Sequence, residues 1–190
     1  MQKTVEFIIP TFSRTLPLMS MLASLEAQTS RHWRANVVID TDHGGVAEEI
    51  IKHIASDNIY FTYTGKQYND WGHTPRQMGK QKSKADYIIL SGDDNYYVPT
   101  CVDEILKAAK DSPGMIYWDM VHSHYDYHYF KTSPGYNQID MGAFATRRDL
   151  AHQIKLNTSY AADGEFVEEF KDRFITEGIV KIDKVLFVHN

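Results

Sequence analysis

Residues 86–99, DYIILSGDDNYYVP, carry the pattern that decides the fold. The apolar part, residues 87–90, is typical of a short buried strand of a parallel sheet, and the carboxylates Asp93 and Asp94 follow it. In open α/β sheets, ligands bind just beyond the carboxyl ends of the strands, where both side chains are expected. Adjacent carboxylates repel each other unless a cation neutralises them, and a divalent ion shared with phosphate oxygens would do so. A strand that ends in a solvated polar turn is the structural alternative.

Strand-like apolar runs alternate with helical patterns along most of the chain. The resulting order, β-α-β-α-β-α-β-α-β, predicts an α/β fold with a mostly parallel, Rossmann-like sheet and helices on both faces. The predicted strands are residues 4–10, 35–40, 58–63, 87–90 and 115–121, and the predicted helices are residues 16–25, 46–55, 74–83 and 99–109, with a loop at 41–45. A mixed C-terminal part is expected, with strands at 139–146 and 179–188 and helices at 147–154 and 163–174.

Composition and charge disfavour several classes of protein. The chain has 190 residues and a net charge of −5, which suits one globular domain and argues against a nucleic-acid partner. The densest basic run, residues 79–84, predicts a solvated helix face. Cys101 is the single cysteine, so no intramolecular disulfide can form, which suits a reducing compartment. Because we find neither an apolar run of transmembrane length nor the pattern of a signal peptide, we expect a soluble, cytoplasmic protein with no membrane span.

The segment HSHYDYHY at residues 122–129 alternates metal-ligating side chains with tyrosines. In an extended chain, His122, His124, Asp126 and His128 would share one face, and the tyrosines would occupy the other. Such a set could bind Zn²⁺. Because side chains on one face of a strand are spread along it, all four could hardly reach one ion. We therefore favour an inward aromatic face and an outward polar face.

Several segments together resemble a GT-A glycosyltransferase of family 2. They are FIIPTFSRTLPLMSMLASLEAQT at 7–29, VVID at 37–40, GHTPRQMGKQKSKADYIILSGDDNYYVP at 72–99 and AADGEF at 161–166. The resemblance covers nearly the whole chain and rests on the order and spacing of the segments. It implies a GT-A type fold and an enzyme that moves a sugar from a nucleotide-diphosphate donor. It also implies one minimal domain, 1–190, with a nucleotide-binding half at 1–98 and an acceptor-side half at 99–190.

The resemblance assigns residues to the donor nucleotide. The segment from Pro10 to Phe12 would hold the base, with Phe12 as a stacking face. Asp40 would accept a hydrogen bond from the imide N–H of uracil, although a turn-capping role is equally open. Arg76 would meet the diphosphate, because a guanidinium fork suits phosphate oxygens. The full set of implied nucleotide-binding residues is Pro10, Thr11, Phe12, Arg14, Asp40, Gly72, Arg76 and Asp93.

The metal site departs from the pattern that the resemblance implies. The family signature is Asp-x-Asp, and Gly92 stands at the position of the first aspartate. Asp94 aligns with the aspartate that ligates Mn²⁺ or Mg²⁺, whereas Asp93 would reach the ribose or a metal-bound water. His189 is a further candidate metal ligand, with a loose terminal residue as the alternative.

The resemblance also points to a catalytic base and an acceptor site. Asp163 matches the carboxylate that acts as base in inverting members, and Glu165 is the second candidate. A helix N-cap is the structural alternative for Asp163, and the helix N-terminus would keep it ionised. Trp118, Asp119 and Met120, in the fifth predicted strand, are the candidate acceptor-binding residues.

The sequence thus predicts metal-dependent transfer of a sugar, with a UDP-sugar favoured, to a carbohydrate or other hydroxyl acceptor, with inversion. A non-catalytic carbohydrate- or nucleotide-sugar-binding module and a sugar-nucleotide hydrolase remain alternatives. The turn at residues 11–14 has neither the G-x-G-x-x-G of a dinucleotide-binding dehydrogenase nor the glycine-rich basic loop of a pyrophosphorylase. A metal-dependent phosphohydrolase would need more carboxylates around Asp94.

Overall fold

The computed structural model describes residues 2–41 and 56–190. The predicted helix at 46–55 and most of the predicted loop at 41–45 lie outside these residues. The strands within them are β1 (Val5–Thr11), β2 (Trp33–Ile39), β3 (Ile59–Tyr63), β4 (Tyr87–Leu90), β5 (Tyr96–Tyr97), β6 (Met115–His122), β7 (His128–Phe130), β8 (Phe144–Arg147) and β9 (Ile179–His189). The helices are α1 (Thr15–Glu26), α2 (His73–Lys82), α3 (Cys101–Ala108), α4 (Arg148–Ala151) and α5 (Ala162–Phe174).

The strands form one mixed sheet in the order β3-β2-β1-β4-β8-β6-β9-β5, with β7 paired to β6. Strands β1 to β4 are parallel to one another, as the alternating pattern predicts. Strand β8 runs antiparallel between β4 and β6, while β6 and β9 are parallel. The predicted α/β fold with a mixed C-terminal part is confirmed. Because β1, β2 and β4 are parallel, their carboxyl ends meet at one edge of the sheet.

The core lies between the sheet and its helices. Strands β1, β2 and β4 are buried along nearly their whole length, as expected for a sheet covered on both faces. Helix α2 packs closely on β1 and β2, and the lack of a side chain at Gly79 permits this: a Cβ added there would lie only 2.5 Å from Ile8 Cγ2. This contact fixes the height of α2 above the sheet and therefore the position of the residues at its N-terminus.

The basic run at 79–84 is not wholly solvated, which corrects the expectation from composition. Lys80 is fully buried, and its ammonium donates hydrogen bonds to the carbonyl oxygens of Ala151 and Ile154. The Ala151 carbonyl ends α4 and the Ile154 carbonyl lies in the turn that follows, so the buried cation holds this turn in place. Burial lowers the pKa of Lys80 to about 8.

The segment at 122–129 forms a hairpin and not one extended strand. Strand β6 ends at His122, a single 3-10 turn covers Ser123–Tyr125, and β7 pairs back antiparallel with β6. The expected inward aromatic face is wrong, because Tyr125, Tyr127 and Tyr129 are each more than half exposed. Asp126 and Tyr127 adopt φ values of 50° and 57°, and the resulting turn breaks the alternation on which the expectation rested.

The strand predicted at 139–146 is shorter than expected. The Asp140 carboxylate accepts a hydrogen bond from the Gly142 backbone N–H at 2.8 Å and begins a 3-10 turn at Met141–Ala143. Aspartate competes with strand pairing in this way, because its side chain bonds to the backbone two residues on. Strand β8 therefore starts only at Phe144.

Candidate active site

A cleft of about 500 Å³ opens at the carboxyl ends of β1, β2 and β4. It is lined by all eight residues predicted to bind the nucleotide and by both candidate metal ligands. Other lining residues include Trp71, Ser91, Asn95, Asp140, Met141 and Asn190. The structure therefore brings together side chains that lie up to 180 residues apart in the chain, as expected for a site at the edge of a parallel sheet. We refer to this space as the donor cleft, after the sugar-nucleotide donor that the sequence predicts for it.

Asp93 and Asp94 both pair with the guanidinium of one arginine, Arg14. Arg14 forms ion pairs with both carboxylates, and Asp93 also accepts a hydrogen bond from the Thr11 hydroxyl at 2.7 Å. Burial raises the pKa of Asp93, although Thr11 and Arg14 act in the opposite direction. The repulsion anticipated between the paired carboxylates is thus relieved by Arg14. Any metal ion at Asp94 would have to share this carboxylate with Arg14 or displace the guanidinium.

The cleft supplies part of a ligand set for Mn²⁺ or Mg²⁺. Mg²⁺ is usually held by one or two carboxylates together with substrate phosphates. Asp94 offers such a carboxylate, since its side chain is 22% exposed and lines the cleft. In residues 2–41 and 56–190, no three His, Cys, Asp or Glu side chains are placed to hold a metal. The residues present therefore fit a divalent cation when diphosphate oxygens complete the set.

His189 is held at the donor cleft by several contacts. It ends β9, its Nδ1 lies 3.1 Å from the Ser123 hydroxyl, and its ring stacks on His122 with centroids 4.1 Å apart. Its Nε2 lies 3.7 Å from an oxygen of Asp140. The alternative of a loose terminal residue is therefore wrong.

Asp40 lines the donor cleft and also holds the loop that follows β3. Its carboxylate accepts hydrogen bonds from the Tyr68 backbone N–H at 3.2 Å and from the Thr64 hydroxyl at 3.3 Å. The side chain is buried. The base-binding role and the turn-capping role that the sequence left open are therefore compatible, because one carboxylate has enough lone pairs for both.

Arg76 places a half-buried guanidinium against the cleft. Its Nε donates to the Ser91 carbonyl at 2.7 Å and its Nη1 to the Trp71 carbonyl at 2.8 Å. Burial lowers its pKa, while the nearby charges of Asp140, Asp93 and Asp94 raise it. Within the described part of the chain it makes no ion pair. Its charge is thus held by neutral carbonyls and is available to an anion such as a diphosphate.

Gly72 allows the loop before α2 to lie against β1. Its φ is +80°, and a Cβ at this position would lie 2.8 Å from the ring of Pro10. The preceding residue, Trp71, also has a positive φ of 55°, which is a rare conformation for a bulky side chain. The loop places Trp71 at the cleft and leads into α2, which carries Arg76.

We expect Gly72→Ala to destabilise the fold more than Gly65→Ala. Both glycines have φ near +80°, but the Cβ of Gly65 would meet nothing within 4 Å. Both variants carry backbone strain, so their difference isolates the clash with Pro10. Strain in this region costs about 1–3 kcal/mol, and the clash adds to it at Gly72 alone. Melting temperatures of both variants measure the difference; equal losses would show that Pro10 moves aside freely.

Asp163 lies on a wall of the groove that continues from the donor cleft. Together with Arg76, Asp140 and Met141, which also line the donor cleft, it borders an adjoining space of about 150 Å³. Burial raises the pKa of Asp163 to about 6, and the charge of Asp140 adds to the effect, against the hydrogen bond from Gly164 N–H. A carboxylate with this pKa is poised as a base near neutral pH.

The two alternatives raised for the base are not supported by geometry. Residue Ala161, and not Asp163, occupies the N-cap of α5, and no side chain caps this helix. Asp163 instead accepts a hydrogen bond from the N–H of Gly164 at 2.7 Å. Glu165 accepts one from Asn157 at 2.8 Å and is not among the residues that line the cleft.

The candidate acceptor residues are separated by the structure. Trp118 is fully buried in the core, and Asp119 is a buried partner of Lys181 at 2.9 Å and of the Thr132 N–H. Neither side chain can contact an acceptor, which corrects the expectation from the sequence. Strand β6 lies inside the sheet and is buried on both faces, with an irregular register against β9 at these residues. Met120 alone borders a cavity, described below.

Sequence reasoning missed Asp140, which borders the donor cleft and both neighbouring spaces. No motif contains it. An aspartate two residues before a glycine is typical of a turn, so this signal could have ended the predicted strand at residue 140. Trp71 and Tyr160 were also missed; they are 67% and 79% exposed, with ring centroids 6.4 Å apart.

The fold and the cleft define a glycosyltransferase of the GT-A class, and comparison with known families narrows this further. The model of Glycosyl transferase family 2 matches residues 6–164. The chain belongs to this family. Among the described residues, we find no helix with the length and apolar character needed to cross a membrane.

Individual relatives are distant. A protein of Haemophilus influenzae described as an uncharacterized glycosyltransferase is 23% identical over 111 residues, which cover 58% of this chain and 36% of that protein. The S. aureus TarS 1-349 complex with UDP-GlcNAc has a TM-score of 0.74 at 14% identity, covering 97% of this chain and 58% of that chain. The mannosyltransferase PcManGT from Pyrobaculum calidifontis, in complex with GDP-Man and Mn²⁺, has a TM-score of 0.73 at 13% identity, covering 100% and 57%. This chain spans less than two thirds of each relative.

Proposed function

We propose that the protein transfers a sugar from a nucleotide-diphosphate sugar, with UDP-sugars favoured, to an acceptor hydroxyl with inversion at the anomeric carbon. The observation that carries this proposal is the convergence of three groups in one groove: the carboxylate of Asp94, the half-buried guanidinium of Arg76 and the carboxylate of Asp163. They are the groups that a diphosphate leaving group and a nucleophilic hydroxyl require.

The base and ribose would lie in the part of the cleft beside the carboxyl end of β1. Phe12 is 47% exposed there and offers a ring face for stacking. Pro10 and Thr11 form the adjoining wall, and Asp40 would accept the imide N–H of uracil, which neither cytosine nor adenine offers. The solved complexes of TarS with UDP and UDP-GlcNAc support a uridine donor, whereas that of PcManGT contains GDP-Man.

The diphosphate would lie between Arg76 and Asp94. Arg76 would donate to its oxygens, and Arg14 would stabilise the charge of the neighbouring Asp93 carboxylate. Asp94, with His189 as a second ligand, would hold Mn²⁺ or Mg²⁺ together with the phosphates. When bound, the metal supplies Lewis-acid stabilisation of the leaving group. Mn²⁺ in the PcManGT complex supports this choice.

Asp163 would act as the general base. It takes the proton from the acceptor hydroxyl while the hydroxyl oxygen bonds to the anomeric carbon from the side opposite the diphosphate. The bond between the anomeric carbon and the diphosphate oxygen breaks with its electron pair on that oxygen. One displacement of this kind inverts the anomeric configuration. The 1–98 half would then supply most contacts to the nucleotide, and the 99–190 half would supply the base and the acceptor contacts.

A panel of nucleotide sugars tests the proposal directly. The protein is incubated with each donor, Mn²⁺ and a mixture of acceptor sugars, and free nucleotide diphosphate and glycosylated product are both quantified. Equal amounts of the two support transfer. Free sugar released without product would identify a sugar-nucleotide hydrolase, and donor binding without turnover would identify a binding module.

We expect Asp40→Ala to weaken UDP binding more than CDP binding, because cytosine has no N–H at the corresponding ring position. The hydrogen bond to the uracil edge is lost, while the diphosphate contacts are unchanged. The loop at Thr64 and Tyr68 also loses an acceptor, so Asp40→Asn serves as the control because it keeps one carbonyl acceptor for that loop. Calorimetry with both nucleotides measures the ratio of affinities. If the unmutated protein binds UDP and CDP equally, the role of Asp40 in base selection is wrong.

A further inference from the structure

A second cavity, of about 530 Å³, lies beside the donor cleft, between the β6–β7 hairpin and the start of α5. This volume falls within the range of about 300–1,000 Å³ that encloses small organic ligands. It shares Asp140 and His189 with the donor cleft, and Asp163 lies on its wall. A ligand in this second cavity therefore has access to the proposed base without entering the nucleotide site.

Aromatic rings form two sides of the second cavity. On the hairpin side, Tyr125 packs against Phe130 with centroids 5.2 Å apart and against His122 at 5.4 Å. On the opposite side Tyr160 is 79% exposed, and within the described structure the only ring it contacts is that of Trp71. Aromatic faces carry partial negative charge and attract the weakly positive C–H groups of a sugar ring. Polar groups of His124 and Asn137 also border the space and can meet hydroxyls.

The charges of the second cavity differ from those of the donor cleft. Two arginines, Arg14 and Arg76, line the donor cleft. Among the described residues that line the second cavity there is no lysine or arginine, and two carboxylates, Asp140 and Asp163, face it. A phosphate or sulfate group in this cavity would meet like charge without a fixed cation to offset it.

We propose that the second cavity binds an uncharged carbohydrate as the acceptor, held between the hairpin rings and Tyr160. The inference rests on the proposed transferase function and names its acceptor class. It excludes acceptors that present a phosphate or sulfate group beside the reacting hydroxyl. A hydroxyl of the bound sugar lies against Asp163, and the donor sugar enters from the side of Asp140 and His189.

A glycan array tests the acceptor class. The labelled protein is applied to neutral, sulfated and phosphorylated oligosaccharides, and we expect binding to neutral glycans alone. For the best neutral glycan, Tyr160→Ala should raise the Kd by about 3- to 10-fold, the usual worth of one aromatic contact. Tyr63→Ala is the matched control, because Tyr63 is 39% exposed on β3 and lines neither cavity, and it should leave the Kd unchanged.

A charge change gives a second measurement. His124→Lys places a cation at the rim of the second cavity, and we expect this variant to gain binding to phosphorylated glycans. Binding of phosphorylated or sulfated glycans by the unmutated protein as strongly as neutral ones, or of no glycan at all, would overturn the inference, as would an unchanged Kd for Tyr160→Ala. UDP affinity measured by calorimetry with Mn²⁺ reports separately on the donor site. If the unmutated protein binds neutral glycans but does not bind UDP, this would count against the transferase function and not against the carbohydrate site.

Discussion

Replacing Asp163 with asparagine is expected to lower the rate of sugar transfer by about 10²–10⁴-fold, the usual contribution of a positioned proton acceptor. Donor affinity should remain, because the nucleotide and diphosphate would contact Asp40, Arg76 and Asp94. Asparagine keeps the size of the side chain and an oxygen for the hydrogen bond from Gly164, but it cannot take a proton. Single-turnover transfer rates and calorimetric donor affinities, measured on the same preparations, separate chemistry from binding.

The matched control for Asp163→Asn is Glu165→Gln. Glu165 lies two residues further along α5 and is not among the residues that line the cleft or the neighbouring spaces. The Glu165→Gln protein should therefore transfer sugar at the normal rate. An Asp163→Asn protein with full activity would remove the general base from this site. A loss of activity in Glu165→Gln alone would transfer the role to Glu165.

The pH dependence of the unmutated protein follows from the raised pKa of Asp163. The base works when ionised, so kcat/KM should be full well above pH 6 and fall as pH drops through about 6. The pH dependence of folding stability has the opposite sign: ionisation of Asp163 raises activity but lowers the free energy of unfolding. Since burial raises the pKa above the ordinary value, the folded state binds this proton more tightly than the unfolded state, and ionisation of Asp163 lowers stability at neutral pH. Asp163→Asn should therefore melt at a higher temperature than the unmutated protein at pH 7.

Removing divalent metal with a chelator is expected to weaken UDP binding by at least about 30-fold. Removing one partner of a buried charge pair costs about 2–5 kcal/mol. The chelator would remove the divalent cation held by Asp94, which is the main positive charge facing the diphosphate. Asp94→Asn should bind UDP as weakly with Mn²⁺ as the unmutated protein does without it. Unlike Asp163→Asn, this variant should lose donor affinity and turnover together. Calorimetry of UDP with Mn²⁺ and with chelator gives the comparison.

Two controls sharpen the metal experiment. Asp111→Asn changes an exposed carboxylate that does not line the donor cleft, and it should keep the full metal effect. Mn²⁺ titrated without nucleotide should bind only weakly, because no complete set of protein ligands is found in the described residues. Equal UDP affinity with and without metal would show that Arg14 and Arg76 alone neutralise the diphosphate, and the metal-dependent mechanism would be wrong.

Local sequence and the family resemblance together predicted the side chains that line the donor cleft. Asp40 and Asp93 each follow a run of apolar residues, and parallel strands place their carboxyl ends at one edge. A short apolar run, its alternation and its terminal carboxylate are all properties of consecutive residues. The position of Asp94 in the cleft follows from the apolar strand before it, once β1, β2 and β4 are taken to be parallel.

The exposure of the residues predicted to bind the acceptor depended on contacts between distant parts of the chain. Trp118 is buried in the core, and Asp119 is buried against Lys181 and the Thr132 N–H, which the sequence of β6 does not specify. The turn at Asp126 and Tyr127 likewise reversed the expected exposure of the tyrosines. Side-chain alternation fixes two faces of a strand, but tertiary packing decides which face is covered.

The sequence by itself determined the alternating order of strands and helices, the edge at which the carboxylates gather and the family. Tertiary structure alone decided that Arg14 bridges Asp93 and Asp94, that Asp140 joins the donor cleft to the second cavity, and that burial raises the pKa of Asp163. The physical reason is the range of the interactions. Strand and helix patterns arise from neighbouring residues, whereas ion pairing, desolvation and cavity shape depend on residues that only folding brings together.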